Sequence, residues 1–420
     1  MMKEKTKEAV FKLRWLVLVL MGLVIFGSYY AYDAVTPIAD YIMQGMGISN
    51  AQYGLLFSLY SLPNVIGVLL GGILLDVIGI RKAGTIYAAL CAIGVFITAS
   101  GSTILIMLAG RFVYGLGSES LIITMDKILS RWFKGKELAF AFGSLVSIAR
   151  LGTIAALNTA ANIQEWSGSW RMAIWISAVV MFVSFLLFLV YSGIDKSKEA
   201  YFRRENEEEG TEKFVFHDVY RFKPSYWLVS LLCMTFYSAI FPFTAFAVVF
   251  LKAKFGFSDV LGGRYVSLIT LAAMIFTPLL GLFIDKLGKR GTILIIGSLL
   301  LGPAHLILGL THTHPAFSMI LIGISFSLVP AALWPVIPIL VEERRLGTAF
   351  GLMTMIQNVG MTIFPFLAGK IRDLSGGDFT NTMIMFASLG IVGFIFSLLL
   401  KYADRKEKAG IELPTKIAQA

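Results

Sequence analysis

The sequence is poor in charge and in cysteine, and both shortages restrict what the protein can be. Only 15% of its 420 residues are charged, whereas about 25% is usual in soluble domains, so a chain made mainly of soluble domain is excluded. Its two cysteines, Cys91 and Cys233, both lie in apolar runs, which excludes a disulfide framework. The sequence lacks a nucleophile with a positioned base, a phosphate loop and a metal-ligand cluster, so we predict no enzymatic activity, no cofactor and no metal.

Long apolar runs fill most of the chain instead. The residues are 57% hydrophobic, and the mean hydropathy is +0.78. Since one bilayer crossing takes roughly 20 apolar residues, twelve crossings would use about 240 residues. Runs bounded by charged or turn residues predict twelve spans, near 14–37, 51–75, 83–100, 103–125, 137–161, 170–192, 225–250, 263–285, 291–311, 316–338, 346–371 and 380–401.

The basic residues indicate how these spans are oriented. Of the 36 Lys and Arg, 28 fall in loops and termini on one side of the twelve spans, six fall on the other side, and Arg111 and Arg150 lie inside spans. Because positive charge is retained on the cytoplasmic side, we predict that both termini are cytoplasmic. The net charge of +10 therefore reflects topology in a lipid bilayer, and we predict no nucleic-acid partner.

Two sequence patterns recur at nearly the same displacement. Gly72, Asp76, Gly79 and Arg81 have the spacing of Gly281, Asp285, Gly288 and Arg290, displaced by 209 positions, and LAFAFG at 138–143 matches LGTAFG at 346–351. This repeat predicts two related six-span bundles. The predicted domains are an N-terminal bundle (1–192), a cytoplasmic central loop (193–224), a C-terminal bundle (225–401) and a cytoplasmic tail (402–420).

With these motifs, the chain resembles the major facilitator superfamily. The resemblance implies an all-α membrane protein with twelve transmembrane helices in two pseudo-symmetric six-helix bundles. It also implies a conformational latch in the cytoplasmic loops, formed by Asp76, Arg81 and Lys82, with Asp285 and Arg290 as its copy. The alternative is a Gly-rich turn with ordinary cytoplasmic positive charge.

Charged residues inside the predicted spans are concentrated in the first bundle. They are Asp33, Arg111, Glu119 and Arg150, and intramembrane charges of this kind usually mark functional sites. Glu119 and Arg150 lie at neighbouring depths, so they could hold the ammonium and the carboxylate of a zwitterion. The alternative is a structural Glu119–Arg150 ion pair, and for Arg111 we favour a structural role.

Six stretches of the sequence narrow this resemblance. They are FGSYYAYD (26–33), YSLPNV (60–65), GRFVYGLGSESL (110–121), SIARLG (147–152), LWP (333–335) and LGTAFGLMTMIQNVG (346–360). These stretches resemble the lysosomal dipeptide transporter branch of that superfamily. In that branch the Glu of span four receives the peptide amino terminus and the Arg of span five receives its carboxylate, which implies these roles for Glu119 and Arg150. Trp334 is implied as an aromatic wall of the site.

Further polar residues lie near the middle of their spans, where transporters place substrate sites. We predict that they line a polar cavity; the alternative for each is a hydrogen bond between helices. These residues are Tyr30, Tyr60, Asn64, Tyr237, Gln357 and Asn358.

The leading functional hypothesis is therefore an alternating-access transporter of dipeptides or similar small zwitterions. Span one lacks a Glu-x-x-Glu-Arg signature, which favours a uniporter. The alternatives are a proton-coupled carrier of small organic anions and a non-transporting membrane sensor or scaffold. Without an acidic dileucine signal or an outer-loop glycosylation sequon, the plasma membrane or a bacterial inner membrane is expected, with the lysosomal membrane as the alternative. Short outer loops imply no accessory subunit, and we expect a monomer.

Overall fold

A computed structural model describes residues 2–133, 137–198, 221–342 and 345–414. These residues form fourteen helices and contain no strand. The helices supply twelve segments that are long and apolar enough to cross a membrane. This confirms the predicted all-α membrane fold with twelve spans.

The helices have the following bounds in chain order. They are α1 (Met2–Asp33), α2 (Ala39–Met46), α3 (Asn50–Ser61), α4 (Asn64–Ile78), α5 (Ile80–Ser100), α6 (Ile104–Trp132), α7 (Leu138–Ser167), α8 (Trp170–Ser197), α9 (Pro224–Phe255), α10 (Asp259–Leu287), α11 (Arg290–Leu310), α12 (Pro315–Leu340), α13 (Leu346–Leu374) and α14 (Thr380–Glu407).

The second span is made of two helices, α3 and α4, separated by a break at Leu62 and Pro63. Proline has no backbone N–H to donate and crowds the preceding turn, so a helix is interrupted there. The side-chain amide of Asn64 donates to the Tyr60 carbonyl at 3.1 Å and bridges the break. The short helix α2, which precedes this span, was not predicted from the sequence.

The fourth span is longer than the sequence predicts. Its apolar run ends near residue 125, but helix α6 continues to Trp132. The added turns carry Asp126, seven residues after Glu119. Since an α-helix has about 3.6 residues per turn, these two carboxylates lie on the same face of α6, roughly two turns apart.

Small residues allow α5 and α6 to approach closely. A side chain at Gly94 would meet the backbone of Tyr114, and a side chain at Gly110 would meet the backbone of Thr98. Helices in lipid associate through such close backbone contacts, since burial from water does not drive their association. This packing fixes α6, and with it Glu119, against α5.

The chain divides into two compact units. The first unit is Met1–Val35 with Ile66–Thr211, and the second is Thr36–Val65 with Glu212–Ala420, as far as these residues are described. The second unit thus includes α2 and α3, which the sequence repeat assigns to the N-terminal bundle. The bundle boundaries drawn from the repeat stay a prediction.

Within the second unit, α3 is held by the end of α13. The Asp373 carboxylate accepts hydrogen bonds from the backbone N–H of Asn50 at 3.0 Å and of Ala51 at 2.9 Å. The Arg372 guanidinium donates to the side-chain oxygen of Asn50. These contacts satisfy N–H groups that a helix leaves without intrahelical partners at its start.

Candidate functional site

Tyr29 on α1 interacts electrostatically with four charged residues of the first unit. Tyr29 lies within electrostatic range of Arg150 on α7 and of Glu119, Asp33 and Asp126. Glu119 and Arg150 are both partly exposed. Three helices of one unit therefore bring an anion, a cation and a phenol hydroxyl into one region.

Sequence reasoning missed two members of this cluster. Tyr29 is adjacent in the sequence to Tyr30, which was predicted to line the cavity. Both tyrosines lie in the same apolar helix, so the sequence does not show which of them belongs to the site. Asp126 was assigned to a loop because the apolar run ends before it. The interaction between Asp126 and Glu119 appears only when α6 is followed to its end.

Asp33 and Arg111 are committed to contacts within the first unit. Asp33 accepts a hydrogen bond from the Thr153 hydroxyl at 2.6 Å. Arg111 is 1% exposed, and it donates to the backbone carbonyls of Ala31 at 3.4 Å and Tyr32 at 3.2 Å. A cation at these last carbonyls of α1 stabilises the end of that helix, so Arg111 positions α1.

Tyr30 shares the first unit with Glu119 and Arg150 but faces a different partner. Its hydroxyl lies 2.9 Å from the Thr159 hydroxyl on α7. This contact joins α1 to α7, as expected for a hydrogen bond between helices in lipid. Its predicted role in binding stays a prediction.

In the second unit, Trp334 and Tyr237 form a polar and aromatic pair. The Trp334 indole N–H donates to the Tyr237 hydroxyl at 3.2 Å, and the Tyr237 ring stacks on Phe241 at 5.8 Å between centroids. Trp334 lies between Pro330 and Pro335 on α12. Proline removes helical hydrogen bonds and bends a helix. This part of α12 is therefore suited to depart from regular helical geometry and to expose the Trp334 side chain.

The other predicted residues of the second unit have local partners. Cys233 donates to the Gln357 side-chain oxygen at 3.5 Å, and the Asn358 amide donates to the Thr354 carbonyl at 3.0 Å. Tyr60 and Asn64 meet at the break between α3 and α4. The side-chain oxygen of Asn64 is buried and has no hydrogen-bond partner among the described residues, which leaves an acceptor for a water molecule or a ligand.

The predicted latch residues of the first unit contact two different helices. Asp76 forms an ion pair with Lys127 on α6. The Arg81 Nε lies 3.8 Å from the carboxylate of Asp195, a buried residue near the end of α8. The same carboxylate lies 3.5 Å from the Arg131 guanidinium. Lys82 is exposed. A latch function for these residues stays a prediction.

The copy of this motif in the second unit contacts the tail of the chain. Arg290 donates to the Leu413 carbonyl at 2.9 Å, and the side chain of Asp285 lies outside the described part of the structure. Asp404 accepts from the backbone N–H of Gly410 and Ile411. Asp404 follows Asp195 by 209 positions, so the repeat extends to an aspartate at the end of each six-span half.

Among the described residues, no group of three or more His, Cys, Asp or Glu side chains is placed to hold a metal ion. His305, in α11, is buried between the rings of Phe243 and Phe386, with centroids 4.8 and 5.7 Å away. These surroundings are those of a core histidine.

Comparisons with known proteins agree with this architecture. The sequence profile of the Major Facilitator Superfamily matches residues 21–365 and again residues 244–418. Among solved structures, that of the nucleoside transporter NupG superposes with a TM-score of 0.75 at 14% identity, covering 92% of this chain and 99% of that chain. At this identity the likeness concerns the fold alone.

The sequence is also similar to curated proteins over nearly its whole length. A zebrafish (Danio rerio) protein named lysosomal dipeptide transporter is 34% identical over 413 residues, which are 95% of this chain and 89% of that protein. The human (Homo sapiens) protein of the same name is 33% identical over 405 residues, which are 93% of this chain and 87% of that protein.

Proposed function

Because the chain belongs to the major facilitator superfamily, we propose that it carries dipeptides or similar small zwitterions across a membrane by alternating access. The observation that carries the proposal is the cluster in the first unit, where Glu119 and Arg150 share the surroundings of Tyr29. The names of the similar zebrafish and human proteins support the same substrate class.

The proposed binding mode uses the two opposite charges separately. Glu119 receives the ammonium of the peptide, and Arg150 holds its carboxylate, since a guanidinium can make two parallel hydrogen bonds to a carboxylate. A zwitterion supplies a counter-charge to both Glu119 and Arg150, which compensates for the water that each group loses on binding. A ligand with one charge leaves one of the two groups without a counter-charge. Binding therefore selects zwitterions.

For Trp334 and Tyr237 of the second unit we propose a role in substrate binding. Their indole and phenol groups combine apolar surface with a polar edge, which suits a peptide bond or a variable side chain. For Tyr30, Tyr60, Asn64, Gln357 and Asn358 a binding role is proposed on their depth in the spans alone. Each step of the proposed cycle is binding or conformational exchange, without covalent chemistry.

We further propose uniport by a monomer that needs no accessory subunit, with both termini in the cytoplasm of a plasma membrane or bacterial inner membrane. The lysosomal membrane is the alternative that the names of the relatives favour. For a uniporter, dipeptide flux into liposomes stops at equal concentrations with or without an imposed pH gradient. Accumulation driven by the gradient would show proton coupling.

The binding mode can be tested with capped ligands. Purified protein is titrated with a dipeptide, its N-acetyl form and its C-terminal amide, and the rise in melting temperature is followed. We expect Glu119→Gln and Arg150→Gln each to weaken dipeptide binding about 10- to 100-fold, the usual loss for a hydrogen bond to a charged group. The weak binding of the N-acetyl form should not become weaker in Glu119→Gln, and that of the amide should not become weaker in Arg150→Gln.

Glu165→Gln is a matched control, since Glu165 is an exposed carboxylate on α7; it should behave as wild type. If both site variants fold and respond to all three ligands as wild type does, the proposed clamp is wrong. Stabilisation by the N-acetyl form and by simple carboxylates, but not by the dipeptide, would favour a small organic anion as substrate. Absence of dipeptide flux in liposomes that contain well-folded protein would point to a sensor or scaffold.

A further inference from the structure

A basic pocket lies between α5 and α8 of the first unit, at the ends of these helices that carry Lys82 and Lys196. Its volume is about 590 Å³, and it is lined by Arg81, Lys82, Lys196 and the hydroxyl residues Thr85 and Ser192. A smaller adjoining pocket of about 170 Å³ is lined by Arg81, Lys82, Arg131 and Asp195. Two side-chain hydroxyls and several cations thus face one recess.

The charges of this recess do not cancel. Asp195 is the one carboxylate among the lining residues, and it is already approached by Arg81 at 3.8 Å and Arg131 at 3.5 Å. Lys82 and Lys196 are both exposed and have no ion-pair partner among the described residues. The recess therefore keeps an excess of positive charge that an anion would neutralise.

An apolar groove lies further along the same two helices. Its volume is about 490 Å³, and its lining is almost wholly apolar. Exposed side chains of α5 and α8 form its rim, with Ile93 51%, Phe96 56%, Val179 59% and Phe182 53% exposed, while the small Ala92 and Ala178 lie at its floor. Apolar side chains exposed at membrane depth face hydrocarbon, so this groove is accessible from the lipid.

The groove begins within reach of a lipid that is bound at the recess. Lys82 and Phe96 are fourteen positions apart on α5, which corresponds to about 21 Å at a rise of about 1.5 Å per residue. One leaflet contributes about half of the 30 Å hydrocarbon core, roughly 15 Å. A lipid whose phosphate lies at Lys82 would therefore bring the end of an acyl chain to the near part of the groove, at Ala89 and Ala92.

We propose that the recess and the groove between α5 and α8 together form a binding site for an anionic phospholipid. The phosphate and acidic headgroup bind Lys82, Lys196 and Arg81, and an acyl chain packs along Ala92 and Ala178. Basic recesses between transmembrane helices on the cytoplasmic side are suited to such headgroups because the lipids of that leaflet are themselves negative. The site lies within the first unit and is independent of the proposed substrate.

Lipid binding to the full chain can be counted by native mass spectrometry in a neutral detergent, with phosphatidylglycerol and phosphatidylcholine offered at equal concentration. We expect wild type to retain phosphatidylglycerol preferentially. Each lysine near a bilayer surface contributes about fivefold to binding of an acidic lipid, so the double variant Lys82→Gln, Lys196→Gln should bind it about 25-fold more weakly. Lys82→Arg, Lys196→Arg should restore the preference.

The double variant Arg405→Gln, Lys406→Gln is the matched control. It removes two exposed cations from the end of α14 in the second unit, and it should leave the preference unchanged. An equal loss in this control would mean that overall charge attracts the lipid, and the site would be rejected. Equal retention of the two lipids by wild type would also reject it.

Two soluble ligands separate the lipid from its headgroup. Inorganic phosphate and glycerophosphoglycerol, which lacks acyl chains, should not raise the melting temperature of the wild type, whereas phosphatidylglycerol should. If inorganic phosphate stabilises the protein as strongly as the lipid does, and the lysine variant abolishes both effects, the recess is a site for a soluble anion and the lipid proposal is overturned.

Discussion

The sequence places two basic residues, Arg111 and Arg150, inside the spans. Their surroundings in the structure differ, and so do their roles. Arg111 is enclosed and donates to the last carbonyls of α1, while Arg150 remains partly exposed beside Tyr29. A guanidinium has five N–H donors, and Arg111, which is 1% exposed, directs donors to two carbonyls at the end of α1. The same residue type in the same bundle therefore holds a helix end at Arg111 and stays a proposed substrate-binding residue at Arg150.

Arg111→Gln should lower stability while preserving the response to dipeptides. The substitution leaves the carbonyls of Ala31 and Tyr32 without their donor, which should cost about 1–3 kcal/mol. The measurement is the melting temperature in detergent, with and without a dipeptide. Arg171→Gln is the control, because Arg171 donates to a single carbonyl, that of Gly101, at 2.6 Å. A stable Arg111→Gln protein that no longer responds to dipeptides would instead make Arg111 a binding residue.

At the scale of elements, the division of the second span into α3 and α4 changes what its first half can do. Pro63 breaks the span, and α3 is held within the second unit through Asp373 and Arg372 at the end of α13. The Ser49 hydroxyl caps the same helix start, with Gln52 completing a capping box. The start of α3 therefore depends on contacts from a distant part of the chain as well as on its own cap.

Asp373→Ala should loosen the start of α3 without unfolding the protein. Two backbone N–H groups lose their acceptor, and loss of a comparable helix cap costs about 1–2 kcal/mol. Hydrogen–deuterium exchange of residues 50–54 should rise by roughly 5- to 30-fold, while exchange in α5 and α6 is unchanged. Asp378→Ala, at an exposed aspartate five residues along, should leave exchange at α3 as in wild type. Unchanged protection in Asp373→Ala would show that Ser49 and Gln52 hold the helix start unaided.

At the scale of the whole molecule, the distribution of basic residues predicts which ends of the spans face the cytoplasm. Both native cysteines are fully buried, so the chain offers a low background for labelling introduced thiols. Ser100, at the end of α5, and Ser197, at the end of α8, are both exposed. By the predicted orientation these two serines lie on opposite sides of the membrane.

Ser100→Cys should react in intact cells with a membrane-impermeant maleimide, whereas Ser197→Cys should react only after permeabilisation. The expectation follows because 28 of the 36 basic residues lie on the side of Ser197, and positive loops are retained in the cytoplasm. The wild type supplies the background. The reverse pattern of labelling would invert the topology, and labelling of neither variant in intact cells would place the protein in an internal membrane.

The sequence by itself determined the fold class, the number of spans and the choice of Glu119 and Arg150 as candidates. Apolar length and charge asymmetry are properties of local sequence, and the solvation of each residue in lipid or water decides them directly. The same signals predict the end of a helix too early where polar residues follow an apolar run, as at Asp126. Helical hydrogen bonding continues there beyond the hydrocarbon core.

Only the tertiary structure decided which polar residues share surroundings. The structure joins residues that are far apart in the chain. It shows an electrostatic interaction of Tyr29 with Arg150, and hydrogen bonds of Arg111 with the carbonyls of α1, of Asp373 with the start of α3 and of Arg290 with the tail. Such pairings depend on how helices are rotated and packed against one another, and one sequence does not record those angles. The role of each buried charged residue is therefore decided by the residues that surround it in the fold.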